Sequence, residues 1–384
     1  MKNLNRLKIL RIIICVGFIG GIFFSFELWF PLTRTFPRVP VLFESPIFFD
    51  RFLSVVLVVS LVLTIFFQHL KVFLAVAVGS LFLLAFFDQM RLQPWVYQYF
   101  LLLIIFAFSD ENEEKTLGFT QIIIAGLYFW SGVQKLNFTF SHETLPILLE
   151  PFQNLFPSIQ LPFVFIGITI ALTEIFIGCG LLFRKARNMS VVLAIATHTA
   201  ILTVLIAKNY NQIVWIWNIF LIAAVVTVFW KNDVSIKQII AFADEKKRKI
   251  YAAKIITSAS VLLPILSFFG LWDAYLSGAL YSGNTAVGVV RISDDLFEKL
   301  PPKVRESIFQ TKIGGEKFLP FLEWSLAETG VPAFPAQRVF KKIAAEICQI
   351  ADDKSGVELI VKERPAILDG SYQLTRTNCE LIEK

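Results

Sequence analysis

Charge is scarce in this chain. Asp, Glu, Lys and Arg supply 17% of its 384 residues, where a soluble globular domain carries about 25%. Apolar residues take their place: 56% are hydrophobic, 40 are Phe, and the mean hydropathy is +0.66. Laid out in runs long enough to cross a bilayer, that balance excludes an ordinary soluble domain and points to a multi-pass membrane protein in contact with membrane lipids. Cysteine and histidine are scarcer still. Cys15, Cys179, Cys348 and Cys379 show no metal-ligand spacing, and His69, His142 and His198 are scattered, so no metal or haem site is expected from a local motif. A nucleophile triad motif and a phosphate loop are also missing. No inverted repeat is visible, which counts against a transporter.

The net charge of +6 is no sign of a nucleic-acid partner, because the positive residues gather in loops between apolar runs. Nine spans of ~20 residues or somewhat fewer are expected, at about 9–30, 52–67, 71–87, 95–109, 118–135, 161–183, 190–207, 213–230 and 252–271. The first follows Lys2, Arg6, Lys8 and Arg11 like a signal peptide. It runs through Phe30 without a small-residue cleavage site, so it reads as an uncleaved span. With the N-terminus inside, the inner loops collect these residues, Lys71, Lys115, Arg184, Lys185 and Arg187, and the run from Lys231 through Lys249. The outer loops hold only Arg34, Arg38, Arg51, Arg91, Lys135 and Lys208. That asymmetry predicts a cytoplasmic N-terminus, and an odd span count then an extracytoplasmic C-terminus; the expected location is a plasma membrane, such as a bacterial inner membrane. The acidic run Asp110-Glu111-Asn112-Glu113-Glu114 falls inside, which the rule tolerates.

The expected fold class is therefore an all-α polytopic bundle over 1–272 followed by a small extracytoplasmic α+β domain over 273–384. After Trp272 the density of charge and proline rises to that of a soluble domain. Strands are expected at Thr285–Ile292, Val357–Lys362 and Tyr372–Thr377, and amphipathic helices at Asp294–Phe309, interrupted by Pro301-Pro302, and at Val339–Ile350. Cys348 and Cys379 both fall here and are a candidate disulfide in an oxidising compartment, provided the fold brings their Cα atoms to bridging distance. The proline-rich outer stretch 137–160 reads as amphipathic and fit to lie along the membrane surface.

Polar residues inside spans are costly, so each marks a structural or functional demand. Glu174 and His198 lie mid-span in consecutive antiparallel spans at matching depth, which suggests a Glu–His pair. It serves either as interhelical glue or as a proton relay or head-group contact. Asn218 follows Trp215 and Trp217 in the eighth span. Trp29, Trp95, Trp130, Trp215, Trp217 and Trp272 crowd the outer mouth, either as the ordinary interfacial belt or as a port for an aromatic ring. Residues 270–284 mix aromatics with small residues and are placed to cap the bundle.

One stretch stands apart: Gly126-Leu127-Tyr128-Phe129-Trp130-Ser131-Gly132-Val133-Gln134-Lys135-Leu136-Asn137-Phe138. It starts as an apolar span and ends in small residues, an amide, a lysine and an asparagine. Lys135 either snorkels to the interface or turns into the bundle as a candidate base. Its place at the outer end of its span sets it apart in depth from Glu174 and His198. A cavity uniting the three must open outward and reach to the midplane.

At Tyr128–Leu136 the chain resembles the HTTM family, the membrane domain shared with vitamin K-dependent γ-carboxylases. That family carries an aromatic pair, a small-Gly step and a Lys-Leu ending at the outer end of a span. DoxX- and MauE-like membrane proteins have a similar Gly-x-x-Lys-Leu pattern and a glutamate before glycines, as in Glu174–Gly180. The motif covers about fifteen residues, and the multi-span layout extends the likeness over roughly 1–272. The resemblance implies Lys135 as candidate catalytic base and redox chemistry linked to a lipid-soluble quinone; the polar and aromatic residues Glu174, His198, Trp130, Trp217 and Asn218 are the candidates expected to line such a site. Gln134 stands where the carboxylases have a second lysine, and the terminal domain is far smaller than theirs, so peptide carboxylation is not implied. The competing expectation is a non-catalytic membrane subunit whose extracytoplasmic domain docks a protein partner.

Overall fold

The structure, a computed structural model, describes residues 2–109, 113–234, 248–312 and 314–382. The acidic run at 110–112 and most of the basic run, 235–247, lie outside the described residues. The bundle is built from α1 (Lys2–Phe24), the short α2 (Phe26–Trp29), α3 (Ile47–Phe66), α4 (Lys71–Phe87), α5 (Pro94–Ser109), α6 (Glu113–Lys135), α7 (Leu145–Leu155), α8 (Phe163–Leu182), α9 (Arg187–Ala207), α10 (Gln212–Phe229) and α11 (Arg248–Leu262). A 3-10 segment, Leu263–Phe269, prolongs α11.

Among the described residues seven helices are long and apolar enough to cross a membrane: α1, α3, α6, α8, α9, α10 and α11 with its extension. α4 and α5, counted as spans from sequence, are apolar helices of 17 and 16 residues. At ~1.5 Å per residue each is shorter than a ~30 Å hydrocarbon layer. The first apolar run does not continue as one helix to Phe30. It breaks at Ser25, whose hydroxyl donates to Gly21 O (2.7 Å) and accepts from the Trp29 indole (3.1 Å).

α1 packs one face against α3, α5, α6 and α10, while Ile9, Val16 and Phe23 on the other are exposed. Its Phe18 stacks on Tyr99 (5.1 Å between ring centres) and meets Trp29 and Trp95 edge-on. Fully desolvated charges sit near the chain crossings. Arg91 donates to both carboxylate oxygens of Asp50, and Arg34 donates to Asp88 (2.7 Å), all four side chains being essentially inaccessible. Asp88 also accepts from the amides of Val39 and Met90 (both 3.1 Å). Burial alone would raise its pKa, but the Arg34 and Arg91 charges and these bonds hold the carboxyl below its usual range.

The C-terminal residues form a five-stranded antiparallel sheet from β1 (Val287–Ile292), β2 (Phe309–Gln310), β3 (Lys317–Pro320), β4 (Glu358–Lys362) and β5 (Leu374–Asn378), in the order β2-β3-β1-β4-β5. Around it lie α12 (Asp294–Lys299), α13 (Pro302–Arg305), α14 (Phe321–Thr329), α15 (Gln337–Ile350) and α16 (Cys379–Ile382). α15 buries Val339, Phe340, Ile343, Ala344 and Ile347, an i, i+4, i+8 stripe, and Phe340 packs on Phe321 of α14. Cys348 and Cys379 are joined in a disulfide, their Cα atoms 5.7 Å apart.

The helix expected over 294–309 is interrupted at Pro301-Pro302 as its sequence indicates, giving α12 and α13, because proline disfavours helix at the preceding Leu300; it stops short of its expected end, since Phe309 belongs to β2. β3 and α14 had no sequence forecast, because a four-residue strand after Gly314-Gly315 offers no readable alternation.

The sheet domain rests directly on one end of the bundle, called the domain end below. The Glu328 carboxylate of α14 accepts from the amides of Thr35 (2.6 Å) and Phe36 (2.8 Å), and Trp324 packs edge-on against Phe36. Gln93 donates to Pro332 O (3.0 Å), and Arg338 forms a two-point pair with Asp273 (2.7 and 2.8 Å).

Candidate functional site

The site grows out of one close helix contact. An added Cβ on Gly132 of α6 would lie 2.5 Å from Ala171 O of α8, and one on Gly178 would lie 2.6 Å from Phe129 N. Only glycine lets these backbones touch at both levels. The contact fixes the register of α6 against α8 and sets Glu174 within reach of the end of α6.

Side chains on a helix slant toward its N-terminus. Lys135, the last residue of α6, therefore runs back along its own helix rather than out to the interface. Its Nζ donates to Glu174 Oε2 (2.7 Å), Ser131 Oγ (2.7 Å) and more weakly to Ser131 O (3.3 Å). The pair is buried, with side-chain exposures of 10% and 5%. The difference in depth inferred from residue position is thus cancelled by the length and slant of the lysine. The expected Glu174–His198 pair does not form; Glu174 has taken the lysine instead.

His198 has other partners. Its Nδ1 lies 2.6 Å from Asn218 Oδ1 and its Nε2 lies 2.5 Å from the Tyr128 hydroxyl. The Asn218 amide nitrogen is committed to Val214 O (2.7 Å), so its oxygen faces the ring. In the neutral ring Nδ1 then carries the proton, and Nε2 accepts from Tyr128. Tyr128 is one helical turn below Ser131, and the sequence reading gave it no role. Its signal was present all the same, as a hydroxyl four and seven residues before Gly132 and Lys135 on one helix.

These groups line one cavity of about 420 Å³, walled otherwise by residues such as Leu127, Leu148, Ile170, Leu221 and Leu280. Trp217 is part of the wall, its indole held by Gln98 Oε1 (2.5 Å). Tyr281, from the stretch expected to cap the bundle, is part of it too; burial pushes its phenol well above the ordinary value, and its oxygen accepts from Asn211 (2.7 Å). Lys135, Glu174, His198, Trp217 and Asn218 are therefore brought together. Trp130 is not: its indole donates to Val261 O (2.7 Å) and borders a separate small cavity of about 40 Å³.

Gln134 points the other way. Its amide nitrogen donates to Ser267 Oγ (2.9 Å), and its oxygen accepts from Asn284 (2.8 Å) and from Arg364 of the sheet domain (3.2 Å). Asn137 closes α6 by donating to Gln134 O and Ser282 O and accepting from the Phe140 amide. The polar ending of the motif thus divides its labour, one side facing the cavity and the other fastening the terminal domain. Among the described residues no group of three His, Cys, Asp or Glu side chains is placed to hold a metal.

Taken chemically, the cavity offers one buried ion pair and one neutral hydrogen-bonded chain in an apolar enclosure. It can bind an apolar molecule with one or two oxygen functions and exchange a proton with it. No family model, curated protein or solved structure matches this chain.

Proposed function

We propose that this chain is an integral membrane protein related to the HTTM and DoxX/MauE-like proteins, and that it binds a lipid-soluble quinone or quinol in the Lys135–Glu174–His198 cavity. The observation that carries the reading is the placement of a buried Lys–Glu pair and the Tyr128–His198–Asn218 chain on one apolar chamber. Ion pairs cost desolvation and are weak devices for stability alone, whereas two polar devices aimed into one apolar pocket suit a ring with oxygen atoms at opposite edges. In this reading the membrane is a plasma membrane and the sheet domain is extracytoplasmic.

Lys135 is the base only as part of its pair. While Glu174 is ionised and Lys135 is an ammonium, the lysine donates to a ligand oxygen and the carboxylate is the acceptor. When Glu174 takes the lysine's proton, the free amine removes the hydroxyl proton of a bound quinol, leaving an oxyanion beside the regenerated ammonium. The first step leaves the pair neutral; in the second the pair gains the quinol's proton and one positive charge, balanced by the single negative charge left on the quinolate oxygen.

The test is mass spectrometry of lipids that co-purify with the wild type, Lys135→Met and Glu174→Gln. A quinone on the wild type and its loss from both variants supports the reading. Bulk phospholipid alone on all three sinks it.

A second reading keeps the polar groups as helix locks and makes the protein a docking subunit. Its support is two exposed leucines beside the edge strand β5: Leu368, 92% exposed in the loop before it, and Leu374, 52% exposed, which opens it. A photo-crosslinker at residue 368 that yields no discrete adduct in intact cells would count against it.

A further inference from the structure

The cavity wall coincides with the lipid-facing surface at two places. On α8, Phe165, Leu172 and Phe176 form an exposed apolar stripe, and Thr169, on the same stripe, also lines the cavity. On α9, Val192, Thr199, Thr203 and Ile206 are exposed, and Ala200, beside them and itself exposed, lines the cavity as well. One chamber therefore meets the outer surface along the seam between two apolar helices.

The course of those helices explains the opening. α8 and α9 touch tightly near the loop that joins them, where a Cβ on Gly180 would lie 2.2 Å from Ser190 Oγ. Toward the domain end α7 lies against both and sends Leu145, Leu148 and Leu149 into the chamber. α7 is tied there by Lys208, which donates to Ile147 O and to Glu150 (2.8 Å). Between the tight crossing and α7 the seam is edged by Thr169, Ile166, Ile170, Ala200 and Val204. Thr169 donates to Phe165 O of its own helix (2.8 Å), and Thr173 and Thr197 line the chamber behind it. Among the described residues that edge the seam none is charged, and the outward Thr199 and Thr203 spend their hydroxyls on carbonyls of their own helix, a surface that suits acyl or isoprenoid chains.

We infer that the chamber is entered sideways from the bilayer, through the seam between α8 and α9 below α7. Its ligand is then an amphiphile that keeps its polar head at Lys135–Glu174 and leaves an apolar tail in the seam. The inference rests on the proposed reading of the chamber as a ligand site, but its test uses no quinone, so the two stand or fall separately.

The experiment places a thiol on the chamber wall with Ser131→Cys in a Cys179→Ser background, using the full chain in lipid nanodiscs. Cys179 is exposed and is removed, Cys15 is buried, and the other two cysteines are bonded to each other. Labelling is compared between a bilayer-dissolved pyrene maleimide and a charged, membrane-impermeant methanethiosulfonate. Entry through the seam predicts reaction with the apolar reagent. It also predicts a slowing of about tenfold, equivalent to ~1.4 kcal/mol of barrier, when Ala200→Trp or Thr169→Trp fills either lip. Both lips face outward, so a bulky apolar residue is compatible with folding, and the second variant stands in if the first fails to fold. Labelling by the charged reagent at a similar rate, or indifference to both tryptophans, would overturn the inference and place the entrance at the domain end, near Leu280 and Tyr281.

Discussion

Lys135 and Glu174, 39 residues apart and on different helices, meet at 2.7 Å inside the bundle. The contact joins the end of α6 to the middle of α8, and two glycines make it possible. It places a buried ion pair on the chamber wall, and it is open to direct perturbation.

Breaking the pair from one side leaves a desolvated charge. Lys135→Met or Glu174→Gln alone is expected to cost roughly 3–5 kcal/mol. The double variant should cost less than the sum of the two, since neither charge is then stranded. Thermal midpoints of the purified proteins in one detergent give the comparison. Additive losses would mean that the two groups are not coupled.

Gly132→Ala and Gly178→Ala each force α6 away from α8, because the new methyl would overlap backbone at 2.5–2.6 Å. A loss of about 1–3 kcal/mol is expected, together with loss of any ligand held by Lys135. Gly126→Ala is the control: its Cβ would meet only the tip of Val261 at 3.2 Å, and it should change little. Equal midpoints for all three would show that the close contact does not set the site.

Tyr128→Phe removes the donor to His198 Nε2 and leaves that nitrogen buried without a partner. The expected cost is roughly 1–3 kcal/mol, and the ring should titrate at a different pH. Histidine NMR shifts followed across pH in wild type and variant read this out. An unchanged titration would separate Tyr128 from His198.

The Asp88 carboxyl is held below its usual range by Arg34 and Arg91 against the opposing effect of burial. A depressed folded-state pKa contributes stability that is present above the unfolded value, about 3.9. That stability is lost as pH falls through the lower folded value. Unfolding between pH 5 and pH 2 should therefore steepen at the acid end. Asp88→Asn should be less stable at neutral pH and flatter in acid, as followed by tryptophan fluorescence. An equally steep acid loss in Asp88→Asn would assign it to another carboxyl.

The Cys348–Cys379 bond closes a separation of 31 residues between α15 and the end of the chain. Cys348→Ser with Cys379→Ser should destabilise the sheet domain by about 2–4 kcal/mol. The site in the bundle should remain intact. Limited proteolysis of the domain, run beside the thermal midpoint of the bundle, checks both halves.

Much of this was legible beforehand. Long apolar runs, the change of composition at Trp272 and the stripe of Val339, Ile343 and Ile347 depend on hydropathy and period, which are local properties. The odd polar residues in spans, Lys135, Glu174, His198 and Asn218, were conspicuous for the same reason, since each costs free energy in an apolar setting. Their pairing was not legible. Glu174 appeared matched to His198 by depth, yet depth along a helix axis ignores the reach and slant of a lysine and the rotation of one helix about another. Tyr128 escaped notice because a tyrosine near a membrane surface looks like an interfacial anchor until its neighbours are known. Trp130, one residue past Phe129 on the same turn, faces α11 instead of the cavity, a matter of about 100° per residue that no residue count along the chain decides.

The sequence by itself determined that this is a membrane-spanning helical protein with a small mixed domain at its C-terminal end, and which side chains are too costly to be incidental. Only the tertiary structure decided which of them share a cavity. Hydropathy acts residue by residue, but a buried polar group is satisfied by a partner from another helix, and that choice is made by backbone approach at Gly132 and Gly178.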